Sequence, residues 1–294
     1  MNFRQIKIDD IYKYNSCLTG DETNSESSFA NMYAWRNAMN TMIYFDEDNC
    51  YFIYTKRDGR TACCFPRGKN PLMGIQRLYD YFKSNNTPFI MESLTEKEVN
   101  FIQDNFSNIT INPDPDLDDY VYSGEKLRSL SGKKLHSKRN HINKFKAMYP
   151  DYKYVQITPS YIDKCIEFTD WWLMNKWGSA QSEDYINEMN SVTEFLTNFQ
   201  FFGLSGGMLM YGEKIIAFTI GEKLNKNTCV VHVEKADTRY EGAYTMINNL
   251  YISENWPEIE YVNREEDMGI EGIRKAKNSY YPDIMIKKYS IIFQ

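Results

Sequence analysis

The order of strands and helices in the second half of the chain decides its fold class. Hydrophobic periodicity predicts a strand, two helices, three antiparallel strands, and then helix, strand, helix and strand. Strands joined by hairpins with helices between them form an α+β domain with a mixed sheet. The predicted elements are Tyr152–Thr158, Tyr161–Trp177, Ser191–Phe202, Gly206–Tyr211, Lys214–Leu224, Thr228–Asp237, Gly242–Glu254, Tyr261–Glu265, Ile270–Tyr280 and Ile284–Phe293.

The first half repeats part of this order, so a degenerate duplication of one fold stays open. Three strands rich in aromatic and β-branched residues precede a helix, a strand and a capped helix. Residues 112–124 then contain two prolines and four aspartates, which predicts a connecting loop. We therefore expect an N-terminal domain over 1–124, a basic connecting helix over 125–150 and a C-terminal domain over 151–294.

Composition excludes several classes of protein. Hydrophobic residues make up 42% of the 294 residues and aromatic residues 15%, which excludes a wholly disordered chain. The net charge of −6 argues against a general nucleic-acid coat. No apolar run approaches the roughly 18 residues of a membrane helix, and no signal peptide is recognised. Six cysteines without a C-x-x-C pair are expected to be reduced thiols, and the expected location is cytoplasmic.

A candidate anion-binding turn lies between the strand ending at Asp237 and the following helix. Gly242 permits a tight turn and close approach of a ligand, and the predicted helix that starts there, with Ala243 in its first turn, has free amides that favour anions. Arg239 places a cation nearby. These three residues are the predicted donor-binding set. An ordinary helix start beside a surface arginine fits the same segment.

Two resemblances give this turn a context. Arg239-x-x-Gly242-x-Tyr244, between the fourth strand and its helix, resembles the acyl-CoA pyrophosphate loop of GNAT acetyltransferases, and Ala276-x-x-x-Tyr280 resembles a motif before their final strand. A resemblance over most of the chain is carried by Leu130–Phe145, His232–Asp237 and Asn263–Gly269. These segments resemble the family named for the C-terminal domain of phosphatidylglycerol lysyltransferases.

That family resemblance implies two tandem GNAT-like domains. It also implies the chemistry of the best-known members and the related Fem-type enzymes, which move an aminoacyl group from a charged tRNA to an amine or hydroxyl. No tightly bound cofactor is expected, and the donor is either aminoacyl-tRNA or acyl-CoA. The acceptor and the oligomeric state are open.

A basic segment is the strongest charge anomaly in this acidic chain. Eight Lys or Arg and no Asp or Glu lie between Lys126 and Lys146. Helical spacing predicts that Lys134, Lys138 and His141 form one cationic face, separate from an apolar stripe. The segment predicts phosphate or tRNA binding, or else a solvated helix that pairs with the acidic connector. The candidate phosphate-binding residues are Lys134, Lys138, Arg139 and His141.

Acyl transfer to an amine needs a base, a polarised carbonyl and a protonated leaving group. His232 and Glu234 are two residues apart on a predicted strand, so we expect them on one face, with His232 able to accept a proton. Glu265 follows the neighbouring strand, and Tyr280 could protonate a leaving group. Each of the four also fits a structural role. Three histidines without suitable cysteine spacing predict no zinc site.

Three functions are compatible with these features. The first is an acyl- or aminoacyltransferase working by positioning and proton transfer. The second is a non-catalytic module that binds RNA or a nucleotide through the basic segment. The third is a small-molecule N-acetyltransferase that uses acetyl-CoA.

Overall fold

The computed structural model describes residues 1–294, and its chain forms two compact units. The first unit contains Met1–Asp119, Glu266–Glu271 and Met285–Gln294, and the second contains Tyr120–Glu265 and Gly272–Ile284. Each unit has its own mixed sheet. The predicted α+β class is therefore confirmed.

The strands of the first sheet are β1 Arg4–Gln5, β2 Met42–Phe45, β3 Asn49–Thr55, β4 Thr61–Cys63, β5 Arg67–Gly68, β6 Ile90–Thr95, β7 Ile109–Pro113 and β15 Lys288–Phe293. Their order in the sheet is β1-β2-β3-β4-β6-β15-β7, with β5 paired to β3. All the described pairings are antiparallel except the parallel pair β4 and β6. The helices between them are α1 Asp10–Asn15, α2 Phe29–Trp35, α3 Pro71–Ser84 and α4 Glu96–Asn105.

The strands of the second sheet are β8 Asp119–Ser123, β9 Lys153–Gln156, β10 Ser205–Tyr211, β11 Lys214–Lys223, β12 Thr228–Ala236, β13 Tyr261–Asn263 and β14 Ile284–Ile286. Their order in the sheet is β14-β8-β13-β12-β11-β10-β9. The helices are α5 Gly124–Ser129, α6 His136–Met148, α7 Ile162–Trp177, α8 Glu183–Thr197, α9 Ala243–Asn255 and α10 Glu271–Asn278. Helix α9 packs on β10, β11 and β12, with Met246, Ile247 and Tyr251 fully buried.

The two sheets have the same connectivity, which favours the duplication. In both, two helices follow the first strand, three antiparallel strands follow the helices, and the last of these pairs in parallel with the strand after the next helix. In both, the sixth strand of the sheet comes from the other half of the chain. Strand β15 lies in the first sheet between β6 and β7, and β8 lies in the second between β13 and β14.

Three of the expected elements and the predicted domain ranges differ from the structure. Residues 112–124 were expected to form a loop, but 119–123 form β8, because Tyr120, Val121 and Tyr122 are buried within a sheet. The last predicted strand, Ile284–Phe293, divides into β14 and β15, which belong to different sheets. The predicted basic helix is two helices separated by a turn at 130–135. The compact units therefore differ from the ranges 1–124, 125–150 and 151–294.

Candidate active site

The site lies in the second unit, where β12 and β13 part. The two strands pair in parallel over only three residues, from Thr228 opposite Tyr261 to Val230 opposite Asn263. Strand β12 continues to Ala236, so its last six residues have no ladder partner on the β13 side. Parallel strands that separate leave a crevice, into which the side chains at their carboxyl ends project.

A carboxylate, an amide and a guanidinium meet at this parting. Glu234 of β12 accepts hydrogen bonds from Asn248 Nδ2 of α9 at 2.9 Å and from Arg264 Nη2, just after β13, at 2.9 Å. Only 13% of the Glu234 side chain and 11% of the Arg264 side chain are exposed. The strand end, the helix and the loop thus hold a buried ion pair in place from three sides.

Two buried polar atoms of this group have no hydrogen-bond partner. They are Asn248 Oδ1, an acceptor, and Arg264 Nη1, a donor. Leaving a buried polar atom unpaired costs about 1–3 kcal/mol, so such atoms are few in folded proteins. The position therefore suits a ligand that has a hydrogen-bond donor and an acceptor close together.

Tyr280 and Lys138 complete what we call the Arg264 cluster: Lys138, Glu234, Asn248, Arg264 and Tyr280. The Arg264 guanidinium lies 5.0 Å from the Tyr280 ring centre, and Lys138 Nζ lies 4.0 Å from it. Burial raises the pKa of Tyr280 to about 12, so its hydroxyl stays a proton donor. Burial, and then the Arg264 charge, lower the pKa of Lys138 to about 8. A substantial share of this amine is neutral near physiological pH.

His232 does not join this cluster, which corrects the expectation that it shares a face with Glu234. Its ring stacks on Phe195 of α8 at 4.9 Å, whereas Glu234 contacts α9. The reason is a β-bulge: Val231 and Val233 pair with the consecutive residues Gly221 and Ile220, so His232 is an extra residue. A bulge interrupts the two-residue alternation of a strand.

His232 is also unsuited to accept a proton at neutral pH. Its Nδ1 lies 2.7 Å from Glu265 Oε1 and its Nε2 lies 3.0 Å from Glu222 Oε1. Burial opposes the charged form, but the hydrogen bonds to the two carboxylates outweigh it and raise the pKa of His232 to about 9. The imidazolium donates from both nitrogens. His232 and Glu265 therefore bridge β12 and the loop after β13 as an ion pair on the sheet face opposite the cluster.

The predicted anion-binding turn is largely occupied by protein groups. A Cβ on Gly242 would lie 2.7 Å from the His141 carbonyl oxygen of α6, so this glycine permits close packing of two helices. The Ala243 amide donates to Tyr240, and Ala243 is buried. Arg239 remains exposed, but its guanidinium donates to both oxygens of Asp237 at 2.7–3.1 Å. The donor-binding role of these three residues stays a prediction.

The basic segment divides into residues with different neighbours. Lys138 lies in the cluster, while Lys134 precedes α6 and places its Nζ 5.2 Å from the Tyr281 ring centre. Arg139 donates through Nη1 to two carbonyls of the turn before α6, those of Leu130 and Gly132. His141 is exposed. The common face expected for Lys134, Lys138 and His141 does not form, because Lys134 lies outside the helix.

Sequence reasoning missed Arg264 and Asn248. Arg264 is the one cation beside Glu265, Glu266 and Asp267, and a single cation at the end of a short strand is a signal that could have been used. Asn248 gives a weaker signal, since it lies among the polar residues of a helix. Its burial makes it unusual, and burial is visible only in the structure.

Comparisons with known proteins agree with this architecture. A family model described as phosphatidylglycerol lysyltransferase, C-terminal, matches residues 19–292. A conserved protein of unknown function from Bacteroides thetaiotaomicron is 33% identical, with a TM-score of 0.92 and full coverage of both chains. L-PGS from Bacillus licheniformis is 12% identical, with a TM-score of 0.63 and 94% of each chain covered. The last likeness shows the fold.

One curated relative matches only part of this chain. An uncharacterized protein of Mycoplasmoides gallisepticum is 29% identical over 175 residues, which is 58% of this chain and 55% of the relative. The match therefore spans about half the length of that relative.

None of the helices of this chain combines the length and the apolar character needed to cross a bilayer. Together with the repeated connectivity, the comparisons confirm the expected fold of two tandem GNAT-like domains.

Proposed function

The chain belongs to the family of phosphatidylglycerol lysyltransferase C-terminal domains, and from this premise we propose that it is an acyltransferase that moves an aminoacyl group from aminoacyl-tRNA to an amine or hydroxyl acceptor. The observation that carries the proposal is the pair of unpaired atoms beside Glu234. We propose the cytoplasm, where aminoacyl-tRNA is found, as the location.

The two unpaired atoms favour an aminoacyl group over an acetyl group. An aminoacyl group has an amine, which can donate to Asn248 Oδ1, and a carbonyl oxygen, which can accept from Arg264 Nη1. An acetyl group offers only the carbonyl oxygen and would leave Asn248 Oδ1 unpaired in a buried site. Sites that hold a substrate by hydrogen bonds reject analogues that lack the bonding group. Glu234 further favours a ligand with an ammonium group.

The cluster also supplies groups for the transfer. In the proposed step, the acceptor oxygen or nitrogen attacks the carbonyl carbon of the ester and passes its proton to the neutral amine of Lys138. Arg264 Nη1 stabilises the negative charge that develops on the carbonyl oxygen. The bond to the tRNA 3′ oxygen breaks, and Tyr280 or the protonated Lys138 supplies a proton to that oxygen.

Donor binding tests the proposal directly. We expect a stable amide analogue of the aminoacylated 3′ end of tRNA to bind more tightly than the same RNA without the aminoacyl group. Equal binding of both RNAs, with no transfer from authentic aminoacyl-tRNA, would instead support a non-catalytic RNA-binding module. Tight binding of acetyl-CoA without a preference for the aminoacyl group would support a small-molecule N-acetyltransferase.

Lys138 gives the proposal a pH signature. With the pKa of Lys138 at about 8, the neutral amine becomes more abundant as pH rises, so kcat/KM should increase up to about pH 8 and then level off. Lys138→Met should lower kcat/KM by about 10²-fold and remove this rise, because general-base catalysis contributes about 10²–10⁴-fold.

Two variants serve as controls for Lys138. Lys144→Met changes a half-exposed lysine of the same helix that pairs with Glu241, and it should leave the pH profile unchanged. Lys138→Arg keeps the positive charge but cannot release a proton near neutral pH. A Lys138→Arg enzyme with the activity and the pH profile of the parent would show that Lys138 acts only as a cation.

A further inference from the structure

A polar cavity of about 290 Å³ opens beside α6, apart from the Arg264 cluster. His136, Arg139, Asn140 and Asn143 line it from α6, at the spacing of a single helix face. Lys138 is not among its lining residues and, by helical geometry, points away from that face. The cavity, which we call the α6 cavity, therefore shares no lining residue with the Arg264 cluster.

The walls of the α6 cavity are rich in hydrogen-bond donors and contain no carboxylate. Arg128 and Ser129 from α5 and Asn249 from α9 complete the polar lining. The nearest carboxylate in an ion pair with these residues is that of the exposed Glu125, 3.8 Å from Arg128 Nη2. Guanidinium groups and amides that converge with only one exposed carboxylate nearby match the oxygens of an anion, and guanidinium groups in particular match phosphate.

The donors are fixed before any ligand arrives. Arg128 Nη1 donates to the carbonyls of Trp256 at 2.9 Å and Ile259 at 3.1 Å. Arg139 Nη1 is held by two carbonyls of the turn between α5 and α6. Asn249 Nδ2 donates to the carbonyls of Leu127 and Arg128 in α5 at 2.7–2.8 Å, so this amide holds the wall of the cavity in place. Each arginine thus has Nη1 anchored, which reduces the entropy that is lost when a ligand orders the side chain.

We propose that the α6 cavity binds a phosphate group. The phosphate can be a phosphodiester of RNA or a free phosphate, such as the diphosphate of a nucleotide, since both present the same oxygens. This proposal does not require the chain to transfer an acyl group. It assigns phosphate recognition to Arg128, His136, Arg139, Asn140 and Asn143, of which only Arg139 belongs to the phosphate-binding set predicted from sequence.

The test places negative charge in the cavity without removing its anchors. Asn140 and Asn143 are exposed, so the double variant Asn140→Asp, Asn143→Asp should fold normally. Binding of a 5′-phosphorylated RNA oligonucleotide is measured by fluorescence anisotropy, and binding of inorganic pyrophosphate by calorimetry. We expect the variant to bind at least one of the two probes about tenfold more weakly than the parent, about 1.4 kcal/mol. The matched control is Asn190→Asp on α8, the same exchange at an exposed position outside the cavity.

The two probes separate the sources of the phosphate. Loss of RNA binding alone identifies a phosphodiester ligand, and loss of pyrophosphate binding identifies a free phosphate. If the double variant binds both probes as tightly as the parent does, or if the parent binds neither at millimolar concentration, the proposal is wrong. Failure of acyl transfer would not affect either result, because both are binding measurements on the intact chain.

Discussion

Replacing Arg264 with methionine should lower kcat/KM for aminoacyl transfer by about 10²–10³-fold, the usual effect of removing a donor to a developing oxyanion. Arg264 Nη1 is the unpaired donor of the crevice, and the guanidinium is held by Glu234 at 2.9 Å. The measurement is transfer of a labelled aminoacyl group from tRNA under conditions in which the parent enzyme is not saturated. A binding assay run in parallel separates loss of donor affinity from loss of the chemical step.

Folding has to be controlled in this experiment, because Arg264→Met leaves Glu234 buried without its partner. Breaking a buried pair by removing one member destabilises a protein by about 3–5 kcal/mol. The double variant Glu234→Gln, Arg264→Met removes both charges and should recover much of that stability. It should nevertheless stay inactive. A folded Arg264→Met enzyme that keeps activity within threefold of the parent would eliminate the assigned role.

The second large effect concerns stability, in the first unit. The side chain of Lys288 on β15 is fully buried, and its Nζ pairs with Glu26 and lies 3.4 Å from Asp119. Both carboxylates lose their countercharge in Lys288→Met. We expect the free energy of unfolding to fall by about 3–5 kcal/mol, measured by urea denaturation.

The neighbouring lysine provides the control for Lys288. Lys287 pairs with Asp118, but 53% of its side chain is exposed, so Lys287→Met should change the free energy of unfolding by less than about 1 kcal/mol. If Lys288→Met changes the free energy of unfolding as little as Lys287→Met does, the buried ion group does not stabilise the first unit.

The sequence predicted most of the elements of the second unit but fewer of its side-chain neighbours. Strands β10, β11 and β12 were predicted close to their observed bounds, because hairpin turns and runs of β-branched residues mark them clearly. Strand β8 was missed because Pro113 and Pro115 lie just before it and its partners are distant in sequence. Local patterns do not reveal which distant strand completes a sheet.

The same limit applies to the site. Glu234 and Tyr280, two of the candidate catalytic residues, both contact Arg264 in the structure, and their catalytic roles stay predictions. The alternation rule failed at His232 because a bulge is not visible in the sequence of one strand. Lys138 was assigned to phosphate binding from its charge, since burial beside Arg264 could not be deduced from helical spacing.

The exchanged strands have a consequence for how the chain can be divided and made. A cut between residues 124 and 125 would give two fragments, each with a gap in its sheet where the other fragment's strand belongs. During synthesis, the first sheet is incomplete until Lys288–Phe293 has left the ribosome. The edges of β6 and β7 that pair with this strand therefore stay unpaired while most of the second unit is translated. Because each half needs a strand of the other to complete its sheet, the two halves would have to evolve together, although each repeats the fold of the other.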